Sequence, residues 1–373
     1  MYINSLSLHM DAAMPIPALQ RLDPARFETA AILKRLNGAS RNLAELKGVA
    51  ASIPNQNILI NTLTLQEARD SSAIENIVTT QDDLYREDSP GAATGTAIKE
   101  VLRYRQALRA GFELVRQSGL LTLNTLSGIQ EQLECNRAGF RKLPGTALRD
   151  GAGRVIYEPP QSANDVIRLM GELECFIHDQ PPFAADPLVK MALIHHQFES
   201  IHPFSDGNGR TGRILNVLYL VKEGLLDIPV LYLSRHIVRT KPDYYRLLQA
   251  VRERDAWEEW VLYMLDAVAA TAAETVATIV AIKELLQATK QRVRENYRFY
   301  SRDLINNLFN HPYTRVEFAQ RELGVSRLTA TKYLDTLAQD GVLQKLRIGR
   351  NNYYVNRALF DLLGRGAEEP QRA

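Results

Sequence analysis

Cysteine is nearly absent from this sequence: Cys135 and Cys175 are the only two in 373 residues. Two widely separated cysteines supply neither a disulfide framework nor the paired spacing of a zinc site, which fits a reducing compartment. Net charge is equally sparse. Lys and Arg number 45 against 43 Asp and Glu, leaving +2, so no whole-protein field draws the chain to nucleic acid or membrane, and such binding must come from a local patch. Long apolar runs are lacking too: Ile214 to Val221 and Val261 to Ala273 read as too short or interrupted for the roughly 20 residues of a membrane span. Met1 to Leu19 carries Asp11 but no basic segment followed by an apolar run, so the expectation is no secretory signal, no membrane role and a cytoplasmic location. There is no internal repeat and no low-complexity tract. What is present is an ordinary core supply, 45% hydrophobic and 24% charged, enough for a globular protein of two or three domains.

Apolar residues recur at helical spacing from Pro24 to Ala50, which reads as a helical pair, and again from Asn57 to about Ile77. Thr79 to Gly95, polar and holding Pro90, Gly91 and Gly95, reads as a connecting loop, with the next helix starting near Thr96. Between Leu143 and Pro160 the period shortens: Thr146, Ala147 and Leu148, an Asp150-Gly151 turn, then Val155 to Tyr157 predict a β-hairpin. Helices are expected again at about Asn164 to Asp179, Asp186 to Ser200, Thr211 to Glu223 and Tyr244 to Arg252. No proline interrupts the chain between Pro242 and Pro312, and the Ala-, Leu-, Glu- and Lys-rich stretch from Trp257 to Glu295 predicts one or two long bridging helices.

The chemistry concentrates in twelve residues, His202-Pro203-Phe204-Ser205-Asp206-Gly207-Asn208-Gly209-Arg210-Thr211-Gly212-Arg213. Histidine can take a proton near neutral pH, and Asp206 offers hard oxygens suited to Mg²⁺. Gly207 and Gly209 allow backbone angles that point successive N–H groups at an anion at the start of the next helix. Arg210 and Arg213, three apart on its first turn, add guanidinium forks for outer phosphates. His195 and His196 invite a zinc reading, but neighbouring helix positions point apart and no spaced carboxylate completes a set.

This segment resembles the motif of the Fic family at every specified position. The resemblance implies transfer of AMP from ATP to a Ser, Thr or Tyr hydroxyl on a protein, self-modification included, with Mg²⁺ as cofactor. It makes His202 the general base and Asp206 the Mg²⁺ ligand. Gly207, Asn208, Gly209, Arg210, Thr211, Gly212 and Arg213 bind the phosphates, Arg210 the β- and Arg213 the γ-phosphate. Tyr244 and Tyr245 resemble the tyrosine pair of the adenine pocket, with helix packing the alternative for one of them; Arg252 stands where some relatives have asparagine. The hairpin resembles the flap that receives a target as an added strand, through Thr146, Ala147, Leu148 and Tyr157. Ser71-Ser72-Ala73-Ile74-Glu75-Asn76 resembles the family's inhibitory motif, implying that Glu75, with Ser71 and Asn76, pairs with Arg213. Removal of AMP from a modified target is the alternative enzymatic reading.

From Ser301 to Asn356 the order helix, helix, helix, strand pair resembles a winged helix-turn-helix, Ser326 capping the recognition helix. Arg327, Lys332, Arg347 and Arg350 are its candidate DNA contacts. Eight Lys and Arg stand against five Asp and Glu there, so a protein contact or homodimer is equally open, as is an ATP-sensing DNA-binding regulator. The expected architecture is mostly α: a helical N-terminal region with the inhibitory motif (1–95), a Fic-type helical core with a β-hairpin flap (96–255), linking helices (256–300) and a winged helix with its tail (301–373).

Overall fold

The computed structural model describes residue 16 and residues 18–87, 95–149, 151–348 and 351–364. The described residues form, in order, α1 (Ala30–Ala51), α2 (Asn57–Ile74), α3 (Gln81–Glu87), α4 (Thr96–Ser118), α5 (Leu123–Glu134), β1 (Leu148–Arg149), β2 (Val155–Tyr157), α6 (Ala163–Ile177), α7 (Pro187–Ile201), α8 (Asn208–Lys222), α9 (Leu233–Arg239), α10 (Lys241–Arg254), α11 (Trp257–Asn296), α12 (Arg302–Asn310), β3 (Tyr313–Thr314), α13 (Val316–Leu323), α14 (Arg327–Gln339), β4 (Gln344–Ile348), β5 (Asn351–Val355) and α15 (Arg357–Gly364). The mostly helical expectation holds.

Several boundaries differ, each for a local reason. The expected helical pair is one helix, α1, entered through a tight turn at Pro24–Phe27 and capped by Thr29, whose hydroxyl accepts from Ile32 N at 3.2 Å. It runs through Gly38 although an interior glycine costs roughly 1 kcal/mol, because Ala39, Leu43, Leu46 and Ala50 continue the buried stripe beyond it. The segment read as a loop contains α3, where Thr80 accepts from Asp83 N and Leu84 and Tyr85 are buried. Pro90, Gly91 and the Asp150 turn residue lie outside the described residues. Helices α5 and α9 and strand β3 had no clear signal. The long C-terminal helical stretch is a single 40-residue helix, α11, which by length and composition could cross a bilayer, contrary to the sequence reading. Less than half of that apolar window is buried, and α11 packs along α1 and beside α7, α9 and α10.

Helix α7 is the centre of the core. Every residue from Leu188 to Ile201 is buried, so it lacks an amphipathic pattern, and α6, α8 and α11 pack around it. Helix α4 closes on α5 and α8 at Gly111, where an added Cβ would sit 2.7 Å from Leu218 Cδ1 and 3.0 Å from Ile129 Cδ1. In the C-terminal unit, α12 to α14 carry an antiparallel sheet of order β3-β5-β4. This unit docks on α2 and α3: Gln66 donates to Leu363 O at 2.6 Å, Gln81 to Phe360 O at 3.0 Å, and the Tyr313 hydroxyl to the Asp82 carboxylate.

Gly111→Val should overpack the α4–α5–α8 contact and lower stability by about 1–3 kcal/mol. Urea denaturation checks this; an unchanged midpoint would mean that the helices separate without cost.

Candidate active site

Helix α7 ends where His202 turns left-handed, φ +50°, its N–H donating to Phe198 O at 2.9 Å. The loop that follows is fastened from three sides. From inside, Asn208 closes it with two hydrogen bonds: Phe204 N donates to its Oδ1 and its Nδ2 donates to Phe204 O, both at 2.8 Å. Phe204 itself is fully buried against Phe140 and Phe198. From the flap side, the buried Arg141 donates through Nε to His202 O at 2.8 Å and also reaches the Ile201 and Pro160 carbonyls. From α5, Gln130 donates to Asp206 O at 3.3 Å. Gly207 then adopts φ +78°, a region open to glycine, and a Cβ there would lie 2.6 Å from Glu134 Oε1.

The first bond of α8 runs from Thr211 N to Gly207 O, so the N–H groups of Asn208, Gly209 and Arg210 are left unused by the helix and form an anion cradle at its positive end. The helix starts three residues earlier than expected, which is what places this cradle inside the motif. The remaining motif positions correct the sequence reading. The Asn208 side chain is spent on Phe204. Thr211 is fully buried, and Gly212 lies where a Cβ would meet Glu199 Oε1 at 2.6 Å and Phe198 at 3.1 Å. Their side of α8 packs on α7, so Thr211 and Gly212 make the close helix contact and are not phosphate ligands.

Both arginines are buried and committed. Arg213 donates through Nε to Ser71 Oγ at 2.7 Å and through Nη2 to Ser71 O at 3.0 Å and Glu75 Oε1 at 2.7 Å. Arg210 Nε lies 3.0 Å from the other oxygen of Glu75, while Nη1 donates to Glu100 at 3.2 Å and Nη2 to Glu134 at 2.7 Å. Gly209 makes room for this: a Cβ would sit 2.7 Å from Glu75 Oε1 and 2.9 Å from Arg213 Nη1. Asn76, left-handed at φ +64°, ends the helix and accepts from Lys241 at 3.1 Å. Glu75 and Ser71 therefore meet the motif at Arg213, as the sequence suggested, whereas Asn76 turns to Lys241 instead.

The tyrosine pair divides. Tyr244 is buried, bonded to His195 Nε2 at 2.9 Å and packed on Trp260, so it is a packing residue and not a pocket wall. Tyr245 is exposed beside it. Tyr157 is likewise turned inward, away from a docking role: its hydroxyl donates to Ser200 O at 2.9 Å and the Arg252 guanidinium lies 3.9 Å over its ring. Thr146, Ala147 and Leu148 are half-buried, Leu148 pairing with Tyr157 in the hairpin. In the C-terminal unit Lys332 and Arg347 are exposed, Arg327 is paired with Glu317 at 3.2 Å, and Arg350 lies outside the described residues.

Sequence reasoning missed Glu100, Glu134, Arg141 and Glu199, which reach the site from four elements without a local pattern. Burial pushes the Glu199 carboxyl up to about 7, against the pull of Arg213 and Arg252. Asp206 is exposed, and among the described residues only its Oδ1 is engaged, by Gly207 N at 2.7 Å. The described residues hold no group of three side chains able to chelate a metal alone. Asp206 thus fits Mg²⁺ as that ion is usually held, by one or two carboxylates with phosphate and water completing the shell.

Burial, with the charges of Arg252 and Arg141, pushes the His202 imidazole down to about 4, and burial takes His195 to about 3. His202 is therefore a neutral proton acceptor at physiological pH. The native state leaves these rings unprotonated while the unfolded chain takes up protons near 6.5, so their contribution to stability is present above that pH and lost as pH falls toward 4. NMR titration should find the His202 ring changing charge near pH 4; a midpoint near 6.5 would overturn the buried environment described.

Three family models match in order along the chain: Fic/DOC family N-terminal over residues 33–113, Fic/DOC family over 120–220, and the C-terminal domain of SoFic-like protein adenylyltransferases over 285–359. A protein adenylyltransferase Fic of Aedes aegypti is 31% identical over 142 residues, 38% of this chain and 27% of that protein. A probable protein adenylyltransferase of Aquifex aeolicus is 29% identical over 177 residues, 45% of this chain and 51% of that protein. The chain thus matches only a quarter to a half of the length of these two curated relatives. Two solved structures share the fold: a Fic family protein from Desulfovibrio desulfuricans, TM-score 0.56 at 22% identity over 92% of this chain and 98% of that one, and a Caenorhabditis elegans Fic-1 fragment, TM-score 0.51 at 17% identity over 68% and 74%. Since the matched models together cover about two thirds of the sequence and the motif loop folds as described, the chain belongs to the Fic/DOC family.

Proposed function

We propose that this protein transfers AMP from ATP to a hydroxyl group on a protein, a Ser, Thr or Tyr of a target or of itself, and that Glu75 holds the enzyme at rest. The observation that carries the reading is Glu75 itself: one carboxylate oxygen on Arg213 and the other on Arg210, the two cations best placed for a triphosphate beside an open N–H cradle. Its relatives' names point the same way.

In the transfer, the hydroxyl oxygen bonds to the α-phosphorus as the bond from that phosphorus to pyrophosphate breaks. His202, neutral at pH 7, takes the hydroxyl proton. The N–H groups of Asn208, Gly209 and Arg210 stabilise charge growing on the phosphate oxygens. Asp206 would hold Mg²⁺, which supplies charge neutralisation on the leaving pyrophosphate. Among the described residues strand β1 pairs only with β2, and the Ile156 carbonyl on β2 is already bonded by Gln249, so the β1 edge is where an extended target segment would add.

A γ-phosphate must displace the Glu75 carboxylate from Arg213, so the competent arrangement is a minority state. Each tenfold in population corresponds to about 1.4 kcal/mol, less than one charge-assisted hydrogen bond at about 1.5–3 kcal/mol. Glu75→Gly should therefore raise AMP incorporation about ten- to a hundredfold, measured with labelled ATP at equal Mg²⁺. Adding His202→Ala should remove about 10²–10⁴-fold of that rate. Equal rates for parent and Glu75→Gly would sink the inhibitory assignment; no AMP transfer by either would sink the activity.

A further inference from the structure

Arg210 differs from Arg213 in what holds it. Its side chain is 4% exposed, and its three guanidinium nitrogens face three carboxylates from three helices: Glu75 of α2, Glu100 of α4 and Glu134 of α5. Only the Glu100 and Glu134 contacts are aligned hydrogen bonds; the Nε–Glu75 contact is an ion pair without that alignment. For Arg213 the ion pair among the described residues is with Glu75 alone, beside the Ser71 bonds. Withdrawing Glu75 would release Arg213 to a phosphate yet leave Arg210 fastened through two nitrogens.

Glu134 does more than pair. It sits one helical turn beyond Gln130 on α5, and the two side chains grip neighbouring parts of the loop: Gln130 the Asp206 carbonyl, Glu134 the face of Gly207, where a Cβ would come within 2.6 Å of its Oε1. The last turn of α5 therefore sets Arg210 and the Gly207 turn together.

Building on the transfer reading above, we propose that Glu134 is a positioning residue for the nucleotide, with Glu100 as its support. It keeps Arg210 and the N–H cradle aimed at one point whether or not Glu75 is in place, so that inhibition acts through Arg213 alone. A guanidinium carries five N–H donors; two aligned bonds to Glu100 and Glu134 leave donors on Nη1 and Nη2 for a phosphate. A free arginine would have to give up rotamer freedom on binding, a cost that a guanidinium fixed in advance has already met. The opposing effect is repulsion between the Glu134 carboxylate and the phosphates. Arg210 lies in direct contact with it and offsets that charge, and burial already raises the Glu134 carboxyl above the usual range.

The test uses the full chain carrying Glu75→Gly. Adding Glu134→Ala should raise KM for ATP about tenfold, the loss of roughly one charge-assisted bond, with kcat nearly unchanged. ATP binding measured by calorimetry should weaken by the same factor. Glu134→Gln, which keeps an acceptor oxygen for Nη2, should recover most of the loss, and Glu100→Ala should show a smaller rise. If Glu134→Ala lowers the melting temperature, the Gln variant and Glu100→Ala carry the comparison. Unchanged KM and binding would overturn the proposal. So would tighter ATP binding, or increased AMP transfer by Glu134→Ala with Glu75 intact, either of which would make Glu134 a second brake. Calorimetry keeps the two readings apart: if the Glu75→Gly protein binds ATP but transfers nothing, the activity fails while the effect of Glu134 is still measured.

Discussion

The contact on which the rest of the site depends is the bridge from Glu75 to Arg210 and Arg213, one carboxylate shared by two guanidinium groups that are almost entirely buried. Two cations three residues apart on one helix repel, and burying them without a counter-charge is costly. Helix α2 supplies that charge at its end, with Ser71 one turn earlier to accept from Arg213. The demand for it shapes the sequence on both sides. Gly209 is bare because any side chain would strike the pair, and Gly207 because Glu134 occupies the space beside it.

Holding Glu75 at that point requires that α2 itself be fixed, and its surroundings achieve this. Thirteen of its eighteen residues are buried, polar ones included. Glu67 accepts from Ser234 and Tyr104, and burial pushes its carboxyl up to about 8, so it is largely neutral where it sits. Asp70 and Gln66 are tied to Arg235. The outer side of the helix is covered by the C-terminal unit, whose last helix offers the Leu363 carbonyl to Gln66. The C-terminal unit is therefore part of the packing that positions α2 and Glu75, and the continuous helix α11 connects it to the core.

The motif loop shows how a short sequence becomes a site only through its supports. Its own residues form the turn, the cradle and the hydrogen bonds of Asn208. The main chain at His202 and Asp206 is held by Arg141 and Gln130, and the proton affinity of His202 is set by burial beside Arg252 and Arg141. Arg252 also stacks on Tyr157 and bonds Ser200, joining the flap to α7 where the sequence suggested only a departure from an adenine contact.

By itself, the sequence determined the parts of this protein whose chemistry is written in consecutive residues. The motif from His202 to Arg213, the segment from Ser71 to Asn76, the hairpin before Pro160 and the helical class are legible because each depends on local spacing, turn propensity or periodicity. The tertiary structure decided which motif side chains face the cradle and which face α7, turning Thr211, Gly212 and Tyr244 from ligands, and Tyr157 from a docking residue, into packing. It alone brought Glu100, Glu134 and Arg141 to the site from elements distant in the chain, and set Glu199, just before His202, against Gly212 of α8. It also made one helix of the expected pair at the N-terminus, because burial along α11 outweighs the weak local preference of Gly38 to break it. Local rules specify what a segment can offer; which of its faces is spent on the core depends on neighbours that the segment does not contain.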